Sequence, residues 1–284
     1  MDTNVEYWTR HTVATREFKS RKESMDFVEW RNGLNMFRER LMPVEGHDGK
    51  RVLDYGCGTG NGLVNLVEYS KPKLLVGVDI SPTAISLCTE RMRLHPGPTE
   101  VRLLQIDNGA PKLPFGDASF DYIHCDGVIH HTPNPEEILA EFVRLLSHGG
   151  EARIYAYHYD SIWLHYYVAY QKQIKEGLYR GLSPRQAFRH CTDGEECPIS
   201  NCYKVEEFVQ LAEQSGMDGI KFVGAGIVFN EMQWVQNRFE AIASQELDQE
   251  HRQFLRNLTF DKHGLPYSNG RVAGSAAFFS YTKA

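Results

Sequence analysis

Glycines, short acids, one amide and several histidines occur in this chain in an order that can serve a single site. Gly56, Gly58 and Gly60 crowd one short stretch, with Asp54 before them and Cys57 among them. Glycines at this density let the backbone bend tightly and turn its amides toward a ligand where a Cβ would obstruct. Asp79, followed by Ile80, falls 19 positions beyond Gly60. A carboxylate there can accept hydrogen bonds from both hydroxyls of a ribose. Asp107 and Asn108 can meet an adenine amino group. Cys125 and Asp126 come next, then His130 and His131, and Tyr157 and His158 follow. An imidazole, with an ordinary pKa near 6.5, is the natural general base near neutral pH. The order of preference for that role is His131, His130, His158. Asp126 and Tyr157 are candidates for positioning a substrate. Alone, a histidine is more often a packing residue, and a lone acid after a strand is more often solvated. Their joint occurrence in order points to a nucleotide-like ligand.

The elements that must position these residues follow from periodicity. Short apolar runs at 51–55, 74–79, 101–105, 122–125 and 151–157 read as buried strands. Helical patterns fill the intervals at 61–69, 82–94 and 135–146. Strands alternating with helices imply a parallel α/β sheet covered on both faces. In such sheets the ligand sits at the carboxyl ends of the strands, and every candidate above lies there. Before the first strand, 24–42 reads as one helix ended by Pro43, and Tyr7, Trp8 or Arg31 could close over a ligand.

Composition narrows the function. The chain has 284 residues, 42% hydrophobic and 24% charged, with net charge -6. That balance suits a globular core and lacks the basic surplus of nucleic-acid binders. No apolar run approaches the roughly 18 residues of a membrane span, and no basic-then-apolar leader opens the chain. Six cysteines occur without a CxxC pair, so reduced thiols and a cytoplasmic setting are expected. Neither a nucleic-acid nor a membrane partner is expected, and oligomeric state is left open.

The third glycine of the dinucleotide fingerprint is out of phase, because Asn61 stands where G-x-G-x-x-G requires glycine. The stretch Asp54-Tyr-Gly-Cys-Gly-Thr-Gly60 instead resembles motif I of the class I S-adenosyl-L-methionine (SAM)-dependent methyltransferases. The likeness extends over residues 51–157. Asp79 is similar to that family's ribose acid. Asp107-Asn108, followed by Lys112-Leu-Pro-Phe115, is similar to its adenine-side segment. Phe120-Asp121 through His131, then Leu145 to Gly150, resembles its motif after strand four. The subgroup it resembles includes quinone and natural-product methyltransferases. The resemblance implies a Rossmann-like seven-stranded sheet of order 3-2-1-4-5-7-6 with strand seven antiparallel; 220–224 and 276–282 can supply strands six and seven. It further implies SAM as cofactor, bound by Asp54, Gly56, Cys57, Gly58, Gly60, Asp79, Ile80, Asp107, Asn108 and Cys125.

Three segments exceed that core: an N-terminal helical arm over 1–47, and cap insertions at 158–201 and 225–274 within a core of 48–284. In the first insertion Trp163, Tyr167, Tyr170, Ile174 and Leu178 recur at helical spacing, a stripe suited to core packing that could also roof a pocket. Its Cys191, Cys197 and Cys202 are spaced more loosely than a zinc hairpin, so no metal is expected. The three segments together suit a closed chamber for a small molecule. The expected activity is methyl transfer to an O, N or C atom of a small-molecule acceptor by in-line displacement. Alternatives are a SAM- or nucleotide-binding protein without transfer activity, a thiol-dependent enzyme of the arsenite-methyltransferase kind, and a nicotinamide oxidoreductase.

Overall fold

The computed structural model describes residues 3–108 and 112–284; residues 1 and 2 of the expected arm lie outside them. Among the described residues the central sheet has nine strands, of which seven are principal: β1 (Arg51–Tyr55), β2 (Leu74–Asp79), β3 (Glu100–Gln105), β4 (Phe120–Asp126), β5 (Leu146–His158), β6 (Lys221–Val228) and β7 (Ala276–Thr282). A two-residue strand at Cys202–Tyr203 pairs in parallel with the end of β5, and a second short strand comes from the arm. The order of the seven is 3-2-1-4-5-7-6. β1 to β5 pair in parallel, and β7 runs antiparallel to both β5 and β6. This is the Rossmann-like α/β arrangement expected from the alternation of strands and helices.

Side-chain alternation along the strands divides the core in two. In β1, Leu53 joins Val76, Ile123, Ile154 and Phe142 on one face. Its neighbour Val52 joins Leu63, Leu66, Leu75 and Tyr122 on the other. Strands buried on both faces read as continuous apolar runs, which is why the sequence located them. Helix α1 (Thr3–Arg10) and α2 (Arg21–Gly33) form the arm. Between the strands run α3 (Asn61–Tyr69), α4 (Pro82–Met92) and α5 (Pro135–Leu145). Ser81 caps α4 by accepting from the Ala84 N–H, with Pro82 in the first turn.

The arm departs from the expected single helix over 24–42. Helix α2 stops at Gly33, and Asn35–Met36 adds a short antiparallel strand beside Val228 and Ile227 of β6. Phe37 then takes φ +74° before a single turn, Arg38–Leu41. Pairing with the open edge of β6 wins over continuing the helix, because that edge offers unpaired backbone groups. Buried Arg91 anchors the arm to the core, donating to the Ser24 hydroxyl at 2.8 Å while lying against Phe18 and Phe27.

The two insertions pack mainly on each other. Residues Trp163–Lys175 form a wide π-type helix. Its Tyr166, Ala169 and Tyr170 meet Ile227, Val235, Phe254 and Leu258 in a separate apolar cluster, and Tyr167 stacks on Trp234 at 4.3 Å. The wider turn changes which side chains share a face: Leu164, His165, Tyr166, Val168, Ala169 and Tyr170 are the buried ones. Leu178, expected in the stripe, lies beyond the helix and is exposed. Strand β6 extends to Val228, so the second insertion begins four residues later than expected.

Candidate functional site

A cavity of about 370 Å³ opens at the carboxyl ends of the parallel strands. One wall is the glycine loop. The N–H groups of Gly56 and Cys57 donate to the Val78 carbonyl at 2.8 and 2.9 Å, which pulls the loop over β2. Gly56 has φ +74°, and a Cβ there would fall 2.3 Å from Val128 Cγ2. Only glycine satisfies both the conformation and the space. Gly60 begins α3 at φ +85° beneath Cys88; it shapes the turn but does not line the cavity.

Asp79 is held from two sides. Its Oδ2 accepts from the Gly58 N–H and its Oδ1 from the Ser81 N–H, both at 2.8 Å. Burial raises its pKa, while these backbone donors and that of Ile80 pull it back down. Asp54 is more isolated. It is 2% exposed and its Oδ2 has no partner among the described residues. Burial, with Asp79 adding repulsion, pushes its pKa up to about 7, against the pull of Arg38. Asn61, also in the wall, has neither amide atom partnered among the described residues. These orphaned groups suit a ligand end that carries charged donors and acceptors.

The opposite wall comes from β4, β5 and the arm. Arg38 and Asp126 form an ion pair, and burial lowers Arg38 to about 10. His131 ends a short 3₁₀ turn, Ile129–His131. Its Nδ1 lies 2.7 Å from the Ile199 carbonyl. A carbonyl only accepts, so Nδ1 carries the proton in the neutral ring and Nε2 keeps its lone pair. That Nε2 faces Asp193 Oδ2 at 3.5 Å. Two acceptors face each other, so a proton arriving at Nε2 gains a carboxylate partner. Burial lowers the His131 pKa and Asp193 opposes the shift. Cys197 lies close enough for its sulfur, His131 and Asp193 to hold donor atoms within 4.8 Å of one another. Its thiol donates to the Ile199 carbonyl at 3.3 Å, and burial raises it to about 12.

Helix α1 closes this end. Trp8 packs on His131 with ring centroids 4.7 Å apart. Asn4 donates to the Asn108 side chain at 2.9 Å and to the His131 carbonyl at 3.1 Å. Tyr7 donates to the Asp193 carbonyl.

Of the residues singled out in the sequence, the structure brings Asp54, Gly56, Cys57, Gly58, Asp79, Ile80, Asn108 and His131 to the cavity, with Asp126, Tyr157, Trp8 and Arg31. It sets others apart, for local reasons. Cys125 precedes Asp126 on β4, and successive strand residues face opposite ways, so Cys125 sits in the core. The same alternation on β5 turns His158 away from Tyr155 and Tyr157; its Nδ1 lies 3.0 Å from the Gly274 carbonyl. His130 stacks under Tyr157 at 3.8 Å, and its Nδ1 accepts from the Tyr157 N–H. Burial drives its pKa well down, which keeps it neutral. Asp107 is exposed and absent from the wall. Sequence reasoning missed Arg38, Asn4, Asn61 and Asp193. Only Asp193, before Gly194 in a turn-rich loop, left a local signal.

Comparison with known proteins matches residues 46–216 to the methyltransferase-domain family. A phthiotriol/phenolphthiotriol dimycocerosates methyltransferase of Mycobacterium ulcerans is 38% identical over 120 residues, 42% of each chain. A fatty-acid O-methyltransferase of Mycolicibacterium smegmatis is 32% identical over 103 residues, 36% of this chain and 35% of its own. The matched region thus spans about two fifths or less of these relatives' length. Among solved structures, the Haemonchus contortus phosphoethanolamine N-methyltransferase 2 in complex with S-adenosyl-L-methionine shares the fold. Its TM-score is 0.54 at 16% identity, covering 99% of this chain and 60% of that one. Among the described residues no helix is long and apolar enough to cross a membrane.

Proposed function

Since the chain belongs to the methyltransferase-domain family, whose methyl donor is SAM, we propose that it is an enzyme transferring that methyl group to a small-molecule acceptor held in the cavity described above. The observation that carries this reading is the division of one cavity into two chemically different walls. The wall of Asp54, Gly58, Asn61 and Asp79 suits the donor: Asp79 the ribose, Asp54 and Asn61 the amino-acid end. The wall of His131, Tyr157, Asp193 and Trp8 suits the acceptor.

When bound, SAM supplies a methyl on a sulfonium, ready for in-line displacement. What the protein must add is alignment and exclusion of water. Trp8 and Asn4 exclude solvent from above His131. His131 Nε2, backed by Asp193, is the group we assign to receive the acceptor's proton when the nucleophile is a hydroxyl or amine. His130 and His158 have no such access. The thiol-dependent alternative has little support, because Cys57 is the one cysteine among the described residues in the cavity wall.

Calorimetry with S-adenosylhomocysteine tests the donor half. Binding by the native chain and at least tenfold weaker binding by Asp79→Ala are expected; no binding to the native chain would sink the proposal. Formation of S-adenosylhomocysteine with an added acceptor separates an enzyme from a protein that only binds.

A further inference from the structure

Among the described residues, the cavity's charges leave one cation without a complement. Asp126 is engaged by Arg38. Asp193 accepts from Tyr157 and faces His131. Asp79 is occupied by backbone N–H groups. Arg31 is half-buried at the end of α2 and part of the wall; its carbonyl accepts from the Leu34 N–H, while its guanidinium makes no hydrogen bond, ion pair or aromatic contact with any described residue. Among the described residues, the ionisable groups near enough to bear on its charge are the phenols of Tyr155 and Tyr157 and the like-charged Arg38 and Arg91. A guanidinium withdrawn from bulk water without a counter-ion is costly. An incoming anion, bound through the planar fork, removes that cost.

Position identifies which ligand brings the anion. The donor wall is acidic, and Asp54 feels Asp79 and Arg38 rather than Arg31. Arg31 instead lies toward Tyr155 and Tyr157, the tyrosines of the acceptor wall. Resting on the methyltransferase reading, we propose that the methyl acceptor carries an acidic group, a carboxylate or phosphate, and that Arg31 binds it. The acceptor's acid end then meets Arg31 while its nucleophile faces His131. Arg31 acts as a specificity residue, since a neutral analogue leaves its guanidinium unpaired.

The test uses protein saturated with S-adenosylhomocysteine, so donor binding is established first and its failure is seen separately. Benzoate and the isosteric neutral benzamide are titrated into the complex by calorimetry. Benzoate is expected to bind at least tenfold more tightly than benzamide. That preference is expected to vanish in Arg31→Gln and to persist in part in Arg31→Lys, with S-adenosylhomocysteine affinity unchanged within about twofold in both. Equal affinity for the two probes, or no binding of either, overturns the proposal. So does a tenfold loss of S-adenosylhomocysteine affinity in Arg31→Gln, which would assign Arg31 to the donor's own carboxylate.

Discussion

Tyr157 donates its hydroxyl hydrogen to the carboxylate of Asp193, whose two oxygens lie 3.1 and 2.9 Å away. This contact joins the end of β5 to a loop of the first insertion and fixes the carboxylate beside His131. The family's sheet alone does not supply Asp193; the insertion brings it in.

If Asp193 holds a proton on His131, removing its charge has a specific signature. Asp193→Asn keeps the size and one acceptor but does not stabilise an imidazolium. Turnover is expected to fall about 10- to 100-fold, at or below the low end for general-base effects, with S-adenosylhomocysteine affinity changed less than twofold. Steady-state kinetics beside calorimetry read both. Unchanged turnover would mean that the acceptor arrives already deprotonated.

Asp54 makes a prediction about pH. Its pKa is about 7 in the folded chain against 3.8 ordinarily. Between those values the folded state holds a proton that the unfolded state has lost, so the stabilisation linked to Asp54 declines as pH rises and is gone above about 7. Asp54→Asn is therefore expected to stabilise the ligand-free protein at pH 8 by about 1–3 kcal/mol relative to its effect at pH 4. Binding of an ammonium favours the ionised carboxylate. Affinity for S-adenosylhomocysteine should accordingly rise between pH 6 and 8 in the native protein and stay flat in the variant. Denaturant melts and calorimetry at the stated pH values check both.

Gly56 tests the loop. A side chain at φ +74° is strained, and its Cβ would overlap Val128. Gly56→Ala should destabilise the protein by about 2 kcal/mol or more, combining backbone and packing costs. Adding Val128→Ala should recover part of the loss, because it relieves the overlap and leaves the backbone strain. Thermal melts of the single and double variants measure this.

The parts of the site legible in the sequence are those whose chemistry is local. The glycine loop, Asp54 and Asp79 sit at strand ends whose apolar runs are unmistakable, and their spacing alone is enough to propose a common ligand for them. Choosing between His130 and His131 was harder, because a 3₁₀ turn decides which ring reaches the cavity. Cys125 and His158 were misplaced although strand alternation argues against each: Asp126 and Tyr157 occupy the opposite face. Arg38 reaches the cavity through the break after Gly33. That break depends on the free edge of β6, almost two hundred residues away, and local helical periodicity carries no trace of it. Asp193 and Asn4 are further contacts between distant segments, for which sequence spacing offers no rule.

Trp8 tests whether the arm is a working wall or a packed extension. Its ring lies on His131, and the same helix ties Asn4 to Asn108 and Tyr7 to Asp193. Trp8→Ala would open the cavity above the proposed base and admit water, while the anchor from Arg91 to Ser24 holds α2 in place. The expected result is a rise in acceptor KM of about tenfold, with a modest loss of stability, since a partly exposed aromatic gives up less than the full core cost. If the arm served packing alone, stability would fall and KM would stay. Steady-state kinetics and a thermal melt on the same preparation distinguish the two, and a gain in solvent quenching of the remaining tryptophans would be no substitute for the KM change, because Trp30 is already exposed.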